Sequence, residues 1–191
     1  MWTNDVRRMG AERSAKWIAR WDPVHYLSEA RIPVHWLAGT NDRAFSLPAL
    51  MDSFSAAPTE KSLSVKVRLP HNHSAVSEEA LELTTWADFH LRGVPLPLPV
   101  RAVLNLTRDS TAKWVDRKWE TLPAKLAGGK PVADIPAGTT AYYFDTCAEN
   151  GFVVSTPVEV RKQADVKHLA ADMEDFCGES DYRGAKSARH D

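Results

Sequence analysis

Apolar side chains recur along this chain in distinct rhythms, and each rhythm predicts a kind of element. Between residues 5 and 21, Val6, Met9, Trp17, Ile18 and Trp21, with Arg13 among them, recur at spacings of three and four. That period predicts a helix with one apolar stripe. Asp5 is placed to cap its start, and Asp22-Pro23 to end it, because proline disfavours helical geometry at the residue before it. Trp17 and Trp21 share a face and are expected to pack in the core. Val24 to Ala30 reads as a short helical turn, with His25 as a surface or packing residue, leading into a compact apolar strand from Pro33 to Ala38 that breaks at Gly39. A helix follows to about Ala56, with Leu50, Met51 and Phe54 at helical spacing. Leu63, Val65, Val67 and Leu69 then alternate with Ser64, Lys66 and Arg68, the period-two signature of a strand with one buried face near a sheet edge. Ser77 to Arg92 predicts a helix with an apolar side of Leu81, Leu83, Trp86, Phe89 and Leu91, closed by Gly93 as a left-handed C-cap.

The texture changes at Val94. Pro95, Pro97 and Pro99 stiffen residues 94–99 into a linker, which divides the chain into 1–93, the linker 94–99, a β-rich part over 100–160, and a charged tail over 161–191. Strands are expected at Val100 to Leu106, Trp114 to Trp119, Ala141 to Phe144 and Phe152 to Ser155. Asn150-Gly151 signals a hairpin between the last two. Short strands at this spacing predict a small β-sandwich-like domain, and the mixed charges after residue 161 predict a mobile end.

Composition narrows the functional classes. The 191 residues are 43% hydrophobic and 26% charged, with a formal net charge of −1. No basic excess points to nucleic acid or to an anionic membrane surface. No apolar run approaches the roughly 20 residues that span a bilayer, and no apolar h-region follows Met1. Cys147 and Cys177 either pair or stay free, since two cysteines do not make a disulfide framework.

Two positions carry candidate chemistry. Asp42 lies just past the first strand, after Gly39-Thr40-Asn41, and His71 and His73 lie just past the second. An acid and a histidine at the tips of successive strands with a helix between them is how an open α/β sheet assembles a site. The pattern strand-Gly-Thr-Asn-Asp followed by strand-Pro-x-x-His resembles the last two strands of the α/β-hydrolase fold, and the separation of 73 − 42 = 31 residues fits one helix and one strand. The run from Trp21-Asp22-Pro23 to Pro95-Leu96-Pro97 looks like the C-terminal half of hydrolases of the acetylxylan-esterase or dienelactone-hydrolase type, with the PhoPQ-activated pathogenicity-related proteins close in pattern.

The resemblance implies an α/β fold: the C-terminal half of an α/β-hydrolase sheet followed by the β-rich part. It implies a serine-dependent carboxylic-ester hydrolase acting on a small-molecule or polysaccharide ester, with no cofactor. Asp42 is then the triad acid and His73 the base, with His71 as the alternative. No Gly-x-Ser-x-Gly occurs in the chain, so the nucleophile is expected upstream of Met1 and the chain alone is expected to be inactive. A sheet cut in this way is expected to self-associate or to pair with an N-terminal half, and the parent protein fits a secreted or periplasmic setting.

Three other readings of the same residues stay open. Asp42 can serve merely as a cap for the following helix. His71-x-His73 with Asp42 can bind zinc if a third ligand arrives from elsewhere, for instance His35. The chain can also be a non-catalytic module that contacts carbohydrate or protein through exposed tryptophans such as Trp114 and Trp119.

Overall fold

The computed structural model describes residues 6, 8–69 and 71–161. It is a mixture of helices and strands in which most strand pairing is antiparallel. Helix α1 spans Ala11–Trp21 and begins after Gly10, whose φ of 79° interrupts the helical path. Asp5, the expected cap, lies outside the described residues. The stripe on α1 is real but uncovered: no residue of the helix is buried, and Trp21 is 68% exposed. This corrects the expectation that its tryptophans are core residues: the stripe fits a helix, but Trp17 and Trp21 are both exposed.

A short helix α2, Val24–Leu27, leads to strand β1, Val34–Gly39, then helix α3, Leu47–Ala56, and strand β2, Lys61–Lys66. Strands β1 and β2 are parallel, with Val34 opposite Lys61 and Gly39 opposite Lys66. Lys61 closes the C-terminal end of α3, its ammonium donating to the carbonyls of Phe54 at 2.7 Å and Ala57 at 2.8 Å. A cation there satisfies orphan carbonyls and complements the helix dipole. The predicted helix over 77–92 is two pieces, α4 (Ala75–Glu78) and α5 (Leu81–Arg92), because Ala80 adopts extended geometry between them. Gly93 ends α5 at φ 68°, with the backbone N–H groups of Gly93 and Val94 reaching the carbonyls of Phe89 and Asp88. β1 is covered on both sides: Trp36 meets Phe54 of α3 edge-on at 5.4 Å, and His35 meets Trp86 of α5 at 5.7 Å.

After the proline-rich segment come strands β3 (Pro99–Thr107), β4 (Glu120–Ala127), β5 (Lys130–Val132), β6 (Ala141–Ala148), β7 (Val153–Ser155) and β8 (Glu159–Val160). They form one six-stranded antiparallel sheet in the order β5-β4-β3-β6-β7, with β8 also on β6. The sheet curls, bringing β5 near β6 across it. A second antiparallel layer is absent among the described residues. The layer packed on this sheet comes from β2 and α3: Leu47, Leu63 and Val65 share one core with Trp114, Ala141, Tyr143 and Val158. The two sides of the proline-rich segment therefore bury their apolar side chains against each other.

That packing explains why β2 differs from its expected pattern. Ser62, Leu63, Ser64 and Val65 are all buried, so both faces are covered. Ser64 Oγ donates to the Val153 carbonyl at 2.6 Å, and the Val65 N–H donates to Ser155 Oγ at 2.8 Å. Ser64 on the second face finds a polar partner on β7, which permits its burial. The expected strand over 114–119 is instead a 3-10 turn, Trp114–Asp116, followed by β4. Trp114 is held in that turn by core packing on one side and the Arg117 guanidinium 3.7 Å from its ring. The Asn150-Gly151 hairpin forms as expected, with Gly151 at φ 91° and Asn150 Oδ1 accepting from the Phe152 N–H. Residues 162–191, including Cys177 and the charged tail, lie outside the described residues; Cys147 is buried in β6.

Candidate functional site

The site is built where β1 and β2 end side by side. Gly39, the last residue of β1, passes so close to the loop after β2 that a Cβ there would sit 2.1 Å from the Leu69 carbonyl oxygen. Only glycine permits that approach. Thr40, 2% exposed, then ties the two loops together: its N–H donates to the Lys66 carbonyl at 3.0 Å and its Oγ1 accepts from the Arg68 N–H at 3.2 Å. Arg68 adopts φ 61°, a left-handed conformation that costs a non-glycine residue roughly 1–2 kcal/mol. That turn sends the chain back toward β1.

Asp42 follows in a tight turn, its N–H donating to the Gly39 carbonyl. Its two carboxylate oxygens do different work. Oδ1 accepts from the backbone N–H groups of Ala44 at 2.7 Å and Phe45 at 2.9 Å, which locks the side chain in one orientation. Oδ2 lies 2.9 Å from His71 Nδ1. The carboxylate is mostly buried and the imidazole half-exposed, so the ring bridges a fixed anion and open space. The Phe45 ring lies against the imidazole at 5.6 Å and is itself 60% exposed. Asp42 is thus both a cap, for the loop leading into α3, and a partner for a histidine.

His73 goes elsewhere. Its Nδ1 is 2.7 Å from Glu78 Oε1 in a fully solvated pair. The structure brings His71, and not His73, to Asp42. Ser74 and Ser77 both donate to Asn72 Oδ1 between the two histidines, at 2.7 and 3.2 Å, which helps to hold the loop. Among the described residues no hydroxyl is hydrogen-bonded to His71.

Among the described residues, no third ligand for a metal joins Asp42 and His71. Among the described residues no three His, Cys, Asp or Glu side chains are grouped to hold a metal ion. His35 sits in β1 with both ring nitrogens buried and without hydrogen-bond partners. Burial lowers its pKa, against the opposing field of Glu82. Of the tryptophans considered for carbohydrate contact, Trp114 is a core residue at 8% exposure, and Trp119 is half-buried with its ring on Tyr143 at 5.5 Å. A shallow trough lined by Pro97, Leu98, Val100, Glu149 and Asn150 carries one carboxylate and no histidine.

Three contributors went unseen in the sequence. Gly39 reads as a strand breaker, and its close approach to Leu69 has no local signal. Phe45 is an ordinary loop aromatic by pattern. Nothing in the pattern of the helix over 77–92 singles out Glu82, yet it is fully buried beside Lys66.

What such a site can do follows from its polarity. A carboxylate accepting from Nδ1–H leaves the Nε2 lone pair free to take a proton from a hydroxyl or a water. No known protein family, curated protein or solved structure matches the chain.

Proposed function

We propose that this chain carries the acid and base of a serine-dependent carboxylic-ester hydrolase, Asp42 and His71, on the C-terminal half of an α/β-hydrolase sheet. In this reading the nucleophilic serine belongs to a segment or subunit other than these 191 residues. The observation that carries it is the 2.9 Å contact between Asp42 Oδ2 and His71 Nδ1 at the ends of two adjacent parallel strands.

The chemistry runs through His71. With Nδ1–H held by Asp42, Nε2 takes the serine proton as the hydroxyl attacks the acyl carbonyl, then returns it to the departing alcohol. Asp42 stabilises the imidazolium that exists between those two transfers. The 46% exposure of the imidazole suits a ring that must meet both a nucleophile and a substrate. The substrate class, a small-molecule or polysaccharide ester such as an acetyl ester, rests on the family resemblance of the Gly39-to-His73 pattern.

The test is fluorophosphonate labelling of the chain recovered from the cells that make it, with everything joined or bound to it. One labelled serine is expected, with labelling slowed roughly 10⁴-fold by Asp42→Asn, lost in His71→Ala and retained in His73→Ala. Equal labelling of the native and His71→Ala forms contradicts the reading. So does the lack of any labelled serine on the chain or its copurifying partners.

A further inference from the structure

The loop that carries His71 is tied at its base by an ion pair whose carboxylate is buried and whose ammonium side chain is partly exposed. Lys66 is the last residue of β2, and Glu82 lies in the first turn of α5. Glu82 is fully buried, and the Lys66 ammonium lies 2.7 Å from its Oε2. The contact is a close charge pairing without the alignment of a good hydrogen bond, and Oε1 has no hydrogen-bond partner. A carboxylate this deep is stabilised only by a counter-charge. His35 also feels its field, but burial lowers the pKa of that imidazole and works against a positive charge there. Lys66 fills that role alone among the charged groups paired with Glu82 in the described residues.

An apolar pair would hold α5 to the sheet at least as well. What the ion pair adds is a fixed distance between the two ends of the loop over 67–81. Inside that loop, the Arg68 N–H bonds to Thr40 and the Leu69 carbonyl rests on Gly39, two residues before His71. The base of the loop is tied to α5, and its middle and tip to β1 or to its exit.

We infer that Lys66 and Glu82 are a positioning pair for the acid–base site: they set the ends of the loop so that the His71 ring meets Asp42. They touch no reacting atom. The inference rests on the pairing of Asp42 with His71.

The experiment follows the His71 ring nitrogens by ¹⁵N NMR. Glu82→Gln keeps the side-chain volume and removes the charge. It is expected to abolish the Nδ1–H tautomer signature of His71, moving both ring shifts toward those of a free imidazole, while Lys66→Arg retains the signature. Leu104→Ala, a cavity in β3 of the antiparallel sheet, serves as the stability control and is expected to leave the His71 shifts in place. If Glu82→Gln does not fold, the uncharged pair Lys66→Met with Glu82→Leu replaces it, with the same loss expected. Unchanged His71 shifts in the folded variant, or an equal change in Leu104→Ala, overturns the inference. The ester-hydrolase reading fails by a separate route, the lack of a labelled serine, which leaves these shifts as they are.

Discussion

Gly39 decides whether Asp42 and His71 can meet. A methyl group there collides with backbone, the Leu69 carbonyl oxygen at 2.1 Å and its carbon at 3.0 Å, and not with a side chain that can turn aside. Gly39→Ala is therefore expected to destabilise the fold by about 1–3 kcal/mol, measured by urea unfolding; an unchanged midpoint would show that the two loops do not approach as described. At this scale the sequence was informative about the acid and less so about the histidine. Asp42 follows a strand end that glycine marks, and it lies where the strand pattern puts it. His71 and His73 differ by two residues in a loop, where no period assigns directions to side chains. The neighbours decide: Glu78 draws His73 into solvent, while Asp42 holds His71.

Among the elements, β2 is buried on a face that its pattern leaves wet, and the reason lies across the fold. Its alternation of apolar and polar residues reads as one wet face, but the polar face meets β7 through Ser64 and Ser155. Ser155 in turn donates to Asp145 Oδ1 at 2.5 Å, Asn105 donates to Oδ2 at 2.6 Å, and Thr121 donates to Asn105 Oδ1 at 2.7 Å. This chain of bonds links β2, β7, β6, β3 and β4. Burial pushes the Asp145 carboxyl up to about 6, against the opposing effect of the Ser155 and Asn105 hydrogen bonds. A folded-state pKa above the ordinary value means that stability from this group is fully present below about pH 4 and lost as pH rises through 6. The swing is on the order of 3 kcal/mol. Asp145→Asn should gain on the native protein by about that amount between pH 4 and pH 7.5 in urea titrations; a stability gap independent of pH would contradict the account. β4 shows the opposite failure of legibility. Pro123 and the exposed Lys125 hid a strand, although Gly128-Gly129, with φ 57° and 77°, marks its hairpin with β5.

For the whole molecule, local pattern gave most elements and little of their assembly. The Pro-Leu-Pro-Leu-Pro segment was visible, but the core that Leu63 and Val65 share with Tyr143 spans it and has no signature within either stretch. The apolar stripe of α1 was legible too; which of its tryptophans would be covered was not, since burial depends on what lies opposite. The site likewise exists only because two loops 29 residues apart in sequence converge. The pairing of Asp42 with His71 is the claim on which the functional account stands, and ¹⁵N NMR of the His71 ring in the native protein and in Asp42→Asn tests it most directly. In the native protein the neutral ring is expected to carry its proton on Nδ1. In Asp42→Asn the backbone N–H groups of Ala44 and Phe45 keep the amide oxygen in the Oδ1 position and turn the amide nitrogen toward His71. Nδ1 must then accept, and the proton moves to Nε2, with His73 unchanged. A native His71 that already carries its proton on Nε2, unaffected by Asp42→Asn, would contradict the pairing and the acid–base site built on it.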